Sequence, residues 1–331
     1  MATLAVVFVA LLAVLLMAFT GIWIFGERGH LLLPSTQRSM RQWRSRSAAD
    51  APSTPPGPGV PRPPRLGLLK QLEGYVYGRW TNQYINVLLN RVVPGMSPEG
   101  RARLAEHYHG KIITHDEAKA IIKLDQPIRR DLEQIIPYTM ARDLILNAPV
   151  DIAAYECSCR HARGSHCEPT QVCMVIGPGP VSFVLEHNAP SSRRLTQGEA
   201  LQMLHDEHAR GHLHSAWFKD AMQGRFYAIC NCCKCCCGGI RNMKEYGMPA
   251  VASSGYVAAI DSDLCNACGV CADACPFDAL KLNGSAILDW GKCMGCGVCV
   301  DQCVMEAISL ARDERKGIPL DVRQLVTQTA G

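Results

Sequence analysis

The chain lacks the motifs that announce a nucleotide, a covalent haem or a nucleic acid. No Walker-type phosphate loop and no Gly-x-Gly-x-x-Gly occurs in its 331 residues, so nucleotide or flavin binding through those turns is unsupported. No Cys-x-x-Cys-His occurs either, so covalent haem attachment is not indicated. Sequence features of DNA binding are missing. Residues 2–25 hold no charge at all, and the net charge of the whole is only +4. What abounds is cysteine, with 18 residues.

Eight of them form one pattern written twice. Cys265-Asn-Ala-Cys268-Gly-Val-Cys271-Ala-Asp-Ala-Cys275 is followed, after seventeen intervening residues, by Cys293-Met-Gly-Cys296-Gly-Val-Cys299-Val-Asp-Gln-Cys303. C-x2-C-x2-C-x3-C is the ligand run of [4Fe–4S] clusters, in which three thiolates wrap one cube and the fourth reaches the other. One cluster then takes Cys265, Cys268, Cys271 and Cys303. The other takes Cys293, Cys296, Cys299 and Cys275. Structural zinc is the rival, but it usually uses paired C-x2-C knuckles. With these motifs, residues 256–310 resemble a bacterial-type two-cluster ferredoxin. The resemblance implies the dicluster ferredoxin fold, one-electron transfer and redox protein partners. Pro276 after Cys275 matches that family's pattern, and Val304 after Cys303 departs from it. Thiolates on iron imply a reducing compartment. The segment carries seven acidic residues against Lys281 and Lys292, a net −5, which suits either a basic partner or plain solubility.

The uncharged run at 2–25 would span ~36 Å as a helix, enough for a bilayer. No basic residue precedes it, which argues for an anchor over a signal peptide. Arg28, Arg38, Arg41, Arg44 and Arg46 follow it, against Glu27 and Asp50. The positive flank places the N-terminus outside and the rest in the cytoplasm. Residues 48–66 contain seven prolines, a semi-rigid tether of extended character.

Residues 67–255 read as mostly helical. Thr114-His-Asp-Glu117 and Thr196-Gln-Gly-Glu199 look like capping boxes, the second opening a helix through about residue 215. Gln126-Pro127 ends the first of those helices, and DLEQII and MARDLILNA continue the helical pattern. VSFVLEH after Gly-Pro-Gly-Pro reads as a strand. Glu106, His107 and His109 read as exposed. His205, His208 and His212 share a helix face, with His214 off it. That face suits a metal, haem or proton-linked quinone site, or a plain polar surface.

Ten cysteines lie upstream of the ferredoxin eight: Cys157, Cys159, Cys167 and Cys173, then Cys230, Cys232, Cys233, Cys235, Cys236 and Cys237. Three chemistries fit them: a further iron–sulfur cluster, zinc or copper, or thiol–disulfide exchange. Adjacent thiols at 235–237 cannot all face one cluster. Gly238-Gly239 offers unusual backbone torsions beside them. A Cys-x-Cys-Arg block, a helix and a Cys-Asn-Cys-Cys block before a dicluster module resemble bacterial ferredoxin-like proteins over residues 150–310.

The expected architecture is α+β: a transmembrane anchor (1–26), a basic and proline-rich linker (27–66), a mostly helical Cys-rich domain (67–255), a ferredoxin domain (256–311) and a tail (312–331). The expected function is a membrane-anchored electron carrier with two [4Fe–4S] clusters and a further thiolate centre, held near a membrane redox complex. A reductase component reducing substrate at the central cysteines, and a metal-binding or redox-sensing regulator, are the alternatives.

Overall fold

The computed structural model describes residues 2–25, 68–125, 128–131, 143–146, 149–222 and 225–327. The chain divides into two units, residues 1–60 and 61–331.

In the first unit, Ala2–Phe25 is helical. Among the described residues no helix is long and apolar enough to cross a membrane. The transmembrane anchor is corrected on this ground, and with it the single-pass topology read from the arginine flank. The basic and proline-rich linker lies outside the described residues.

The second unit is built on a sheet. Nine strands compose it: β1 (Tyr108–Ile113), β2 (Ile128–Asp131), β3 (Asp143–Leu146), β4 (Ile152–Tyr155), β5 (Cys173–Ile176), β6 (Ser192–Leu195), β7 (Leu213–Lys219), β8 (Arg225–Cys232) and β9 (Val251–Ala252). Seven run in the order β6-β4-β5-β8-β7-β1-β9, and the β2–β3 pair joins beside β8. All neighbours in that order are antiparallel except β1–β9. The mostly helical reading of residues 67–255 is therefore corrected. Its physical cause is burial on both faces: β4 and β7 are buried at every residue, so they show no period-2 alternation.

Both capping boxes form, at Thr114–Glu117 and Thr196–Glu199. The second opens the helix Gln197–Ala209, which stops at Gly211 with φ +75°; β7 then begins, where the sequence reading carried the helix on to 215. VSFVLEH lies inside the helix Pro178–His187, not in a strand. The proline and glycine before it start that helix. DLIL, read as helix, is β3; Gln126, Pro127 and most of DLEQII lie outside the described residues.

One sheet face buries Ile113, Ala216, Phe218, Phe226 and Ile229 with the helices His115–Ile122 and Gln197–Ala209. The opposite core holds Ile112, Leu213, Trp217, Ala228 and Cys232 together with residues of the segment that carries the eight-cysteine pattern. That segment adds β10 (Tyr256–Ile260), β11 (Leu280–Asn283), β12 (Ser285–Leu288) and β13 (Ile308–Arg312). β10 pairs β13 and β11 pairs β12, both antiparallel.

Candidate metal centres

The C-terminal segment is a duplication with a 28-residue offset. Cys265, Cys268, Cys271 and Cys275 correspond to Cys293, Cys296, Cys299 and Cys303. The backbone repeats with them. Left-handed residues fall in pairs: Ala267 and Gly295, Gly269 and Gly297, Asp278 and Glu306. Short helices follow each C-x2-C-x2 turn, Val270–Ala274 and Val298–Asp301, capped by Gly269 and Gly297 at φ 88° and 87°. Glycine suits those caps because a side chain there is strained.

Two cavities result. One is lined by Cys265, Cys268, Cys271 and Cys303. The other is lined by Cys275, Cys293, Cys296 and Cys299, with Pro276 and Phe277. Each set takes three cysteines from one run and one from the other. Backbone N–H groups donate to thiol sulfurs, Ala286 to Cys265 at 3.4 Å and Ala279 to Cys275 at 3.3 Å. Such donors and thiols around an apolar hollow fit a [4Fe–4S] cluster. Burial pushes the Cys271 and Cys299 thiols up, and the Cys296 thiol to about 12. These thiols hold their protons until a metal displaces them. The cavities differ in exposure. Cys268 is exposed, and Val304 and Met305 beside Cys303 are exposed. Cys275, Cys293, Cys299, Pro276 and Phe277 are buried.

The ten upstream cysteines separate into two groups. β8 alternation turns Cys230 and Cys232 to the face opposite Asn231. There they meet Cys173 at the start of β5, Cys157 and Cys159 after β4, and Cys237 before the helix Gly238–Tyr246. Their thiols form a hydrogen-bonded chain, Cys159–Cys157–Cys173–Cys230–Cys232–Cys237. Cys157 is held well below the usual thiol range by hydrogen bonds from Cys159 and Cys173, with Arg160 adding to them. Cys232 is lowered in the same way by Cys230 and Cys237. Their four neighbours in the chain are pushed up.

Cys167 parts from Cys157, Cys159 and Cys173, with which it was grouped by sequence. It joins Cys233, Cys235 and Cys236, and the four sulfurs lie within 4.8 Å of one another. Cys167 Sγ stands 2.9 Å from Cys235 Sγ, and Cys235 Sγ 3.5 Å from Cys236 Sγ. Gly238 and Gly239 are ordinary helical residues, absent from the left-handed set. They serve close packing: a Cβ on Gly238 would meet Leu89 at 2.6 Å, and one on Gly239 would meet Trp217 and Val251 at 3.0 Å.

Of the histidines, His109 is buried on β1, with Nδ1 3.0 Å from the Ala105 carbonyl, not exposed as its polar neighbours imply. His212 pairs with Glu207 at 2.7 Å, and Glu207 with the fully buried Arg160 at 3.1 Å. His205 is exposed. His208 meets His115 and His214 instead. Sequence reasoning missed this group because it kept His214 on a helix, whereas β7 delivers it from a neighbouring strand.

Residues 258–281 match the 4Fe-4S binding domain family. A comparison with curated proteins finds no match to the chain. The matched segment contains the whole first cysteine run. The chain thus carries an iron–sulfur, ferredoxin-like module for at least one [4Fe–4S] cluster, which suits it to electron transfer.

Proposed function

We propose that the chain is an electron carrier with two [4Fe–4S] clusters in its C-terminal module and a further thiolate-bound centre upstream. The observation that carries this reading is the 28-residue backbone repeat, with left-handed residues at the same three places in each half. The family match covers one half, and the other half has the same turn, the same short helix and its own four-cysteine cavity. A bound [4Fe–4S] cluster takes up and releases one electron at a time. The residues around it set how it is reached. The Cys265 cavity opens at Cys268 toward solvent. The Cys275 cavity is walled by Pro276 and Phe277. Lys234, inside the upstream cysteine loop, donates to the Asp273 carbonyl at 3.0 Å and pairs with Asp278 at 3.3 Å. The upstream thiols therefore abut the turn that holds Cys275.

Among those thiols, the Cys167, Cys233, Cys235 and Cys236 sulfurs suit one tetrahedral ion, whose thiolates at ~2.3 Å stand ~3.8 Å apart. A four-iron cube holds its thiolates farther apart. The buried chain of six offers enough thiols for a cube, with Cys157 and Cys232 already favouring the thiolate.

Iron and sulfide analysis of the full chain, purified without oxygen, tests the proposal. About eight irons and eight sulfides are expected from the module, with more iron if the buried chain holds a cube. Cys268→Ser and Cys296→Ser should each remove about four irons. Cys157→Ser with Cys159→Ser should remove only the extra metal. Zinc without sulfide in the wild-type module, or an iron count untouched by Cys296→Ser, overturns the two-cluster reading.

A further inference from the structure

Three imidazoles converge where the sheet meets the ferredoxin-like module. His115 is the first residue of the helix His115–Ile122, His208 lies in the last turn of Gln197–Ala209, and His214 is on β7. One ring nitrogen of each lies within 4.8 Å of the others. His115 Nδ1 is 3.1 Å from His214 Nε2. The His115 and His208 rings stack at 3.9 Å with 7° between their planes. A carboxylate closes the group: Asp301 Oδ2, at the end of the helix Val298–Asp301, is 3.0 Å from His208 Nε2. We propose that His115, His208, His214 and Asp301 form a binding site for one divalent ion of the zinc class, separate from every cysteine site.

The hydrogen bonds around His214 favour a ligand role. Asn231 donates through Nδ2 to the Val172 carbonyl at 2.7 Å, which leaves its Oδ1 as acceptor. His214 Nδ1 lies 2.6 Å from that oxygen and must donate to it. The proton is thereby fixed on Nδ1, and Nε2 is left as an acceptor facing His115 Nδ1. A metal-bound imidazole is oriented in the same manner by a partner on its other nitrogen. A hydrogen bond and an ion pair explain two of the contacts taken singly. They do not explain why three imidazole nitrogens from three elements lie within 4.8 Å of one another. Tetrahedral donors at ~2.1 Å from an ion lie ~3.4 Å apart, near the 3.1 Å and 3.0 Å edges present here. Three imidazoles and a carboxylate suit zinc or another borderline divalent ion.

The site would tie two parts of the unit together. Asp301 lies between Cys299 and Cys303, while the histidines belong to the sheet and its helices. Gly211, between His208 and His214, faces Gln302 and Val298 across the same junction. An ion held there would fix the module's orientation on the sheet.

The test loads the full, cluster-containing chain with zinc(II), removes loosely held metal, and reads zinc content and the zinc K-edge spectrum. Wild type should show a nitrogen/oxygen shell at ~2.0–2.1 Å, distinct from the ~2.3 Å sulfur shell of a thiolate site. His115→Gln with His208→Gln should lose about one zinc per chain and that shell, with iron and sulfide unchanged. Asp301→Asn should weaken zinc retention at least 10-fold. A wild-type spectrum with sulfur neighbours only overturns the proposal whatever the variants do, as does a double variant that keeps the nitrogen/oxygen shell. The readout is independent of the iron count, so its failure leaves the two-cluster reading standing.

Discussion

Gly295 shows how closely one residue is specified. It has φ +64° between Cys293 and Cys296, and a Cβ there would lie 2.2 Å from the Tyr256 carbonyl oxygen and 2.4 Å from Ser254 Oγ. Ser254 Oγ in turn donates to the Gly295 carbonyl at 2.7 Å. The equivalent residue of the first run is Ala267 at φ 58°, so the left-handed turn tolerates a methyl where no carbonyl crowds it. Gly284 in the β11–β12 turn has φ +73° and open space around it. Gly284→Ala should therefore cost only the left-handed backbone term of about 1–2 kcal/mol. Gly295→Ala should cost clearly more, because the opposing atom is backbone. Ala267→Gly should be neutral or stabilising by up to ~1 kcal/mol. Thermal melts of the three anaerobic variants rank them, and equal losses for Gly295→Ala and Gly284→Ala would refute the clash argument. The eight module cysteines and the glycines after Cys268 and Cys296 were legible in the sequence because their spacing carries the geometry. The partners of the upstream thiols were not. Cys167 and Cys235 are 68 residues apart, and only the folded sheet brings them together.

Among the elements, β1 carries a buried cation across the sheet edge. Lys111 is 1% exposed and donates from Nζ to the Ser253 carbonyl at 2.7 Å. Burial lowers it to about 8, against the pull of Glu117 and with Arg312 adding to the fall. Between about pH 8 and the unfolded value of 10.5 the unfolded chain binds more protons than the folded one. Stability from this residue therefore rises with pH across that window, by at most about 1.4 kcal/mol per unit. Denaturant midpoints at pH 7.5 and 10 should show this gain in wild type relative to Lys111→Met. Parallel curves for the two proteins would contradict it. The same strand explains why the elements were harder to read than the metal sites. Helix starts were visible at Thr114 and Thr196, whose side chains and glutamates cap them locally. Strands such as IAAY and LHSAWFK are short and buried throughout. Their sequences carry no alternation, and partners such as β1 for LHSAWFK and β6 for IAAY lie far along the chain.

At the scale of the whole second unit, the two module cavities differ in the exposure of their cysteines. Cys275, Cys293 and Cys299 are buried, and the Asp278 turn pairs with Lys234 of the upstream loop and Lys244 of the helix after it. The Cys265 cavity is where Cys268, Val304 and Met305 reach solvent, with Val304 79% exposed. Asp261, Asp263 and Glu306 are exposed within four residues of the cysteines and apolar groups that line it. If a redox partner docks at this end, its face should be basic, since opposite charges steer the encounter. Replacing Asp261, Asp263 and Glu306 together by lysine should slow electron exchange with a basic one-electron protein about 10-fold or more at low salt. The difference should shrink as salt rises and screening shortens the reach of the charges. Exchange with a small neutral reagent should change little, because the cysteines and cavity walls are untouched. Stopped-flow rates at two ionic strengths separate these outcomes. An unchanged protein rate, with iron content intact, would place the docking face elsewhere, because the exposed Cys268 end and its carboxylates would then have no part in the encounter.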